Sequence, residues 1–151
     1  MSALDGLYQQ LILEHSKKRA GDGPLADADA EHFERNPSCG DEITVRVKLD
    51  EDGTGLAELA WQGDGCSISM ASASVLSELA VGKSTAEIEE LVAAFRLMLR
   101  TRDGSEPDED LLEDAVAFQG VSKFVMRVKC AMLSWVALEA SLKEAAVSRE
   151  G

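Results

Sequence analysis

The chain has 151 residues, 45% of them hydrophobic, which suits one globular domain, residues 1–151, with its own core. Its 28 acidic against 15 basic side chains give a formal net charge of −13. That argues against nucleic acid, whose phosphates are bound by clustered Lys and Arg, and favours basic protein surfaces as partners. Nowhere do about 18 apolar residues run together, and Met1 to Leu13 lacks the basic-then-apolar pattern of a secretory leader; a soluble, cytoplasmic protein without membrane contact is expected.

In chain order, Leu4, Leu7, Tyr8, Leu11 and Ile12 recur at helical spacing and predict an amphipathic first helix ending near Lys17 to Gly21. Gly21 to Asn36 reads as loop. From Glu42 to Leu49, Ile43, Val45, Val47 and Leu49 alternate with Thr44, Arg46 and Lys48, the pattern of a half-buried strand. After the Asp50 to Gly53 turn, Leu56 to Trp61 predicts an antiparallel partner, and Gly65 to Ile68 a short third strand beyond the Gly63-Asp64-Gly65 turn. Met70 to Ala80, rich in Ala and Ser and followed by Gly82, predicts a closely packed helix.

Ser84 and Glu87 have the spacing of a capping box, and Ile88, Leu91, Val92, Phe95 and Met98 mark the apolar stripe of the helix they start. The acidic run from Asp103 to Asp114 reads as a solvated surface insertion, with a short helix over Pro107 to Phe118 whose inner face is Leu111, Leu112, Ala115 and Val116. Gly120 is expected to end it. A long helix over Val121 to Ala146 then carries Cys130, with Trp61 and Trp135 assigned to the core. The implied fold is α+β: a small antiparallel sheet covered by helices.

The odd cysteine count, three, disfavours a disulfide framework and points to metal or thiol chemistry. Cys39 lies in the turn-rich Asn36-Pro37-Ser38-Cys39-Gly40-Asp41, and Cys66 follows the glycine turn just before a helix N-terminus, where backbone N–H groups and the helix dipole favour an anion. Arg127 and Lys129 stand beside Cys130, just before it in sequence, a setting that favours thiolate. Three thiolates and Asp41 match the four-coordinate preference of zinc. No two cysteines form a C-x-x-C pair, however, and a lone cysteine is as readily a small buried hydrophobe, so spacing alone leaves both readings open. His32, in the predicted loop, is a further ligand candidate.

Three segments in the same order, Asn36-Pro37-Ser38-Cys39-Gly40-Asp41, Gly65-Cys66-Ser67-Ile68-Ser69-Met70-Ala71-Ser72-Ala73-Ser74 and Val128-Lys129-Cys130, resemble the IscU/NifU-like family of iron–sulfur cluster assembly proteins. Within it the chain resembles the SufU branch. Lys129 stands where IscU proteins have histidine, the Leu-Pro-Pro-Val-Lys chaperone motif is absent from Phe124 to Cys130, and residues 101–120 resemble the SufU-type insertion. The resemblance implies a zinc ion held by Cys39, Asp41, Cys66 and Cys130, and a zinc-dependent sulfurtransferase that accepts persulfide sulfur on Cys39 from a SufS-type, PLP-dependent cysteine desulfurase and stimulates it. Release of Cys39 from zinc by a desulfurase histidine is part of that implied mechanism, and downstream iron–sulfur scaffold proteins are the implied recipients. Arg127 is a candidate stabiliser of the thiolate or persulfide.

Two other readings stand beside this one. The same thiolates would serve a scaffold on which an iron–sulfur cluster is built, and a structural zinc domain acting as an adaptor would need no persulfide. A zinc hydrolase or deaminase is disfavoured by the lack of H-E-x-x-H and of H-x-E with P-C-x-x-C.

Overall fold

The computed structural model describes residues 3–37, 40–101 and 106–150; Ser38, Cys39 and residues 102–105 lie outside the described residues. Three strands, β1 (Ala30–Asn36), β2 (Asp41–Leu49) and β3 (Leu56–Asp64), form an antiparallel sheet in the order β1-β2-β3. The helices are α1 (Ala3–Lys18), α2 (Ser67–Ala80), α3 (Thr85–Arg100), α4 (Glu109–Leu112) and α5 (Val125–Glu150), with a 3-10 helix over Glu113–Lys123. No described helix is long and apolar enough to cross a membrane.

β2 organises the core. Its alternation places Ile43, Val45, Val47 and Leu49 on the inner face, each at most 3% exposed, against α5. Asp41 has the same parity, so it too points inward, at the end of the strand where the apolar ladder stops. β1 pairs with β2 in the register Ala30↔Val47 to Asn36↔Asp41, which corrects the expectation of a loop from Gly21 to Asn36. The inward positions of β1 are Ala30, His32, Glu34 and Asn36. Backbone pairing and side-chain polar contacts hold this edge strand, and its sequence therefore carries no apolar alternation.

Beyond Trp61, β3 continues to Asp64, pairing it with Glu42. The expected strand over Gly65 to Ile68 is instead a turn into α2, which begins at Ser67 with Cys66 as its N-cap residue. α2 is buried on nearly all sides, between α1 on one side and α5 and β3 on the other. Its small residues permit that close approach, and its serines find partners: Ser72 Oγ donates to the Ala131 carbonyl at 2.6 Å and accepts the Trp135 indole N–H at 2.8 Å.

The capping box of α3 forms, with Ser84 and Glu87 bonded reciprocally. Phe95 of α3 stacks on Trp135 with centroids 3.8 Å apart and meets Phe118 edge-on at 5.9 Å. Each such buried side chain contributes on the order of 1.5–3 kcal/mol. The acidic helix expected over Pro107 to Phe118 is a single α-turn, broken where Glu113 takes φ +47°, followed by a 3-10 run that passes Gly120. Its inner face keeps Leu112, Ala115 and Val116 buried. α5 consequently starts at Val125 and not at Val121.

Candidate metal centre

Three elements converge at one end of the sheet. Asp41 opens β2, Cys66 caps α2 and Cys130 lies on α5, and their ligand-type atoms all fall within 4.8 Å of one another. Asp41 and Cys130 are buried, at 2% and 3% exposure, while Cys66 is half-buried. The group opens on a cavity of about 640 Å3, also lined by Gly40, Glu42, Asp64, Gly65, Met126 and Arg127. With Asp41, Glu42 and Asp64 the lining has three acids against the one cation Arg127, so the wall favours a positive ion.

The Asp41 carboxylate is the hub. Its Oδ1 accepts the Cys66 backbone N–H at 3.1 Å, and its Oδ2 accepts the Ser69 hydroxyl and lies 3.5 Å from Cys66 Sγ. The Cys66 N–H is one of the free donors at a helix N-terminus, here spent on a carboxylate. Gly65 makes this approach possible: a Cβ built there would sit 2.7 Å from Asp41 Cγ. On the other wall, the Asn36 side-chain amide donates to Cys130 Sγ at 3.9 Å.

Two thiols and a carboxylate, drawn from separate elements with their ligand-type atoms within 4.8 Å of one another, fit a zinc ion. Cys39 lies outside the described residues. Its neighbour Gly40, at φ +74°, borders the cavity, and the Gly40 N–H closes the β1–β2 connection on the Asn36 carbonyl at 2.9 Å. Arg127 is exposed and lines the same cavity. Lys129 borders a different groove, shared with Glu34, Arg35, Asn36 and Pro37 of the β1 end.

His32 is not brought to this group. Its ring nitrogens lie 3.0 Å from Glu144 and 3.0 Å from Glu34. The hydrogen bond to Glu34 chiefly raises its pKa above the usual 6.5, assisted by Glu144 and opposed by burial. Sequence reasoning missed Asn36, Gly65 and Ser69 as parts of the site. Ser69 carried a readable signal, since it stands three residues after the helix N-cap, where a side chain turns back to the cap. Beside the cavity, Phe124, Val125 and Met126 form an apolar group, each more than half exposed.

Residues 7–131 match the family model described as the NifU-like N terminal domain. The chain is 42% identical over 137 residues to the zinc-dependent sulfurtransferase SufU of Bacillus subtilis strain 168, covering 90% of this chain and 89% of that protein. It is 36% identical over 146 residues to the iron–sulfur cluster assembly scaffold protein IscU of Streptococcus pyogenes serotype M1, covering 97% and 89%. Among solved structures it is similar to FiSufU of Fervidobacterium islandicum AW-1, described as a putative iron–sulfur cluster assembly scaffold protein for the SUF system, with a TM-score of 0.77 at 34% identity, covering 88% of this chain and 94% of that one.

Proposed function

This chain belongs to the NifU-like N-terminal domain family, and we propose that it acts in iron–sulfur cluster assembly as a zinc-dependent sulfur acceptor. Cys39 takes persulfide sulfur from a SufS-type, PLP-dependent cysteine desulfurase and thereby stimulates its turnover. The observation that carries this reading is the convergence of Asp41, Cys66 and Cys130 on one open, acid-lined cavity. The 42% identity to a zinc-dependent sulfurtransferase supports it. Zinc, when bound, would be held by Asp41, Cys66, Cys130 and Cys39 and would supply a redox-inert charge that favours deprotonated thiols.

The residues do the rest. The Cys39 thiolate attacks the outer sulfur of the desulfurase persulfide; a new S–S bond forms on Cys39, the old one breaks, and the partner's cysteine leaves as thiolate. Electrons move in pairs from nucleophile to leaving group, so no external oxidant is required. Arg127, at the cavity wall, offsets the negative charge of the incoming persulfide. The exposed Phe124, Val125 and Met126 give the desulfurase an apolar surface that reaches the cavity at Met126. Downstream scaffold proteins would take the sulfur onward, in the cytoplasm, and residues 1–151 would act as one domain with its SufU-type insertion around 101–120.

A second reading, a scaffold that holds a cluster, draws on the similarity to the Streptococcus pyogenes protein. Lys129 weighs against it, because a residue bordering the neighbouring groove replaces the histidine of that branch. The test is desulfurase turnover with zinc-loaded wild type and with Cys39→Ala. Stimulation by wild type alone is expected. A folded, zinc-loaded wild type that leaves turnover unchanged overturns the acceptor reading, and labile sulfide and iron in anaerobically isolated protein would then favour the scaffold.

A further inference from the structure

A second group of ligand-type side chains lies where α1, α2 and the 3-10 helix meet. His15 in the last turn of α1, Glu78 near the end of α2 and Asp114 early in the 3-10 helix each offer an atom, all within 4.8 Å of one another. Glu78 is twelve residues beyond Cys66; at about 1.5 Å per residue, the two groups are separated by roughly 18 Å of helix.

His15 is 6% exposed. Its Nδ1 lies 2.8 Å from Ser74 Oγ, which also accepts the Ala20 N–H at 2.9 Å, so the ring is fixed. Nε2 then points between two carboxylates, 3.7 Å from Glu78 Oε1 and 3.8 Å from Asp114 Oδ2. Both separations exceed the roughly 2.7–3.2 Å of an N–H···O bond. The molecule contains its own comparison: His32, also set between two carboxylates, closes to 3.0 Å on each. Standing off equally from two oxygens is instead how donors sit around an ion. With ligand bonds of about 2.0–2.2 Å, neighbouring donors on one ion are roughly 3.0–3.5 Å apart, a small closure from the distances here.

We propose that His15, Glu78 and Asp114 form a labile binding site for a divalent first-row transition-metal ion, separate from the cysteine centre and completed by water. One imidazole and two carboxylates suit manganese to zinc better than magnesium or calcium. Donation from Nδ1–H to Ser74 Oγ leaves the Nε2 lone pair for the metal, as ligating histidines require. Lys18 Nζ, 2.5 Å from the other Glu78 oxygen, orients that carboxylate and lowers the local negative charge, which keeps the ion exchangeable. Bound there, the ion ties α1, α2 and the 3-10 helix together.

The experiment uses the full chain, reduced and supplied with one equivalent of zinc, titrated with Mn2+ and followed by loss of the free-ion EPR signal. Mn2+ prefers oxygen and imidazole donors over thiolates, so the result does not depend on what occupies the cysteine centre. One bound Mn2+ per chain is expected, with paramagnetic broadening of amide signals around His15, Glu78 and Asp114, and displacement by Zn2+ added beyond the first equivalent. Glu78→Gln and Asp114→Asn should each weaken uptake by about tenfold or more. Both side chains are substantially exposed, at 40% and 57%, so both variants should fold, and two variants guard against the failure of one. No uptake, uptake insensitive to both substitutions, or broadening centred on Asp41 overturns the proposal; in the first case the group is an ordinary ion pair.

Discussion

Replacing Ser69 with alanine tests whether the Asp41 carboxylate is held ready for metal. Ser69 is 2% exposed, and its hydroxyl donates to Asp41 Oδ2. A hydrogen bond to a buried charge contributes about 1.5–3 kcal/mol, equivalent to roughly 10- to 150-fold at about 1.36 kcal/mol per decade. The hydroxyl serves the carboxylate with and without an ion, so only the alignment share reaches the affinity. The zinc dissociation constant should therefore rise toward the lower end, about tenfold, read by competition with a chromophoric chelator. Ser72→Ala is the control. One turn further along α2, Ser72 bonds the Ala131 carbonyl and the Trp135 indole, and its loss should cost about 1–3 kcal/mol of stability with zinc affinity unchanged. A folded Ser69→Ala protein that binds zinc within about twofold of wild type would refute the positioning role, against the roughly tenfold loss expected.

Three further predictions follow from the same geometry. Gly65→Ala places a Cβ 2.7 Å from Asp41 Cγ, so zinc content of the purified protein should fall well below that of wild type; full occupancy by elemental analysis would contradict this. Met126→Asp, on an exposed side chain beside the cavity, should leave zinc content and melting temperature intact while reducing desulfurase stimulation, and undiminished stimulation would remove the apolar group from the docking surface. His32 has its pKa raised above 6.5, first by Glu34 and then by Glu144. Its pairing therefore stabilises fully below the unfolded value and is lost as pH rises through the folded one. An NMR titration should give a midpoint above 6.5 that drops in Glu144→Gln; a midpoint at or below 6.5 in wild type would be inconsistent with the His32 contacts.

What the sequence revealed depended on whether a segment's burial was apolar. β2 was legible because Ile43, Val45, Val47 and Leu49 fill its inner face, and α3 because its stripe and its cap agree. β1 was not, because its inward positions are polar or small, and its order comes from pairing with a strand five residues away in sequence. The break at Glu113 was equally hidden, since a positive φ at a non-glycine residue has no compositional mark. At the candidate site the ligand-type residues were legible by identity. Ser69, Gly65 and Asn36 act through distances that only the folded chain defines.

The cavity lies where three apolar periodicities end and ligand-type side chains occupy the next inward position. On β2 the inward series 49, 47, 45, 43 closes with Asp41; on α5 Cys130 precedes the buried Ala131, Leu133 and Ser134; on α2 Cys66 stands immediately before the buried helix. Packing that serves the core therefore also fixes these three residues. Cys66 is tied through its own N–H to Asp41, and Cys130 is carried within the first turns of a 26-residue helix. A thiol that takes up sulfur must leave its resting partners and return, and moving either of these would disturb a helix or the Asp41 hub. That constraint on Cys66 and Cys130 is the physical argument behind the proposal that Cys39, next in sequence to the cavity-lining Gly40, is the acceptor.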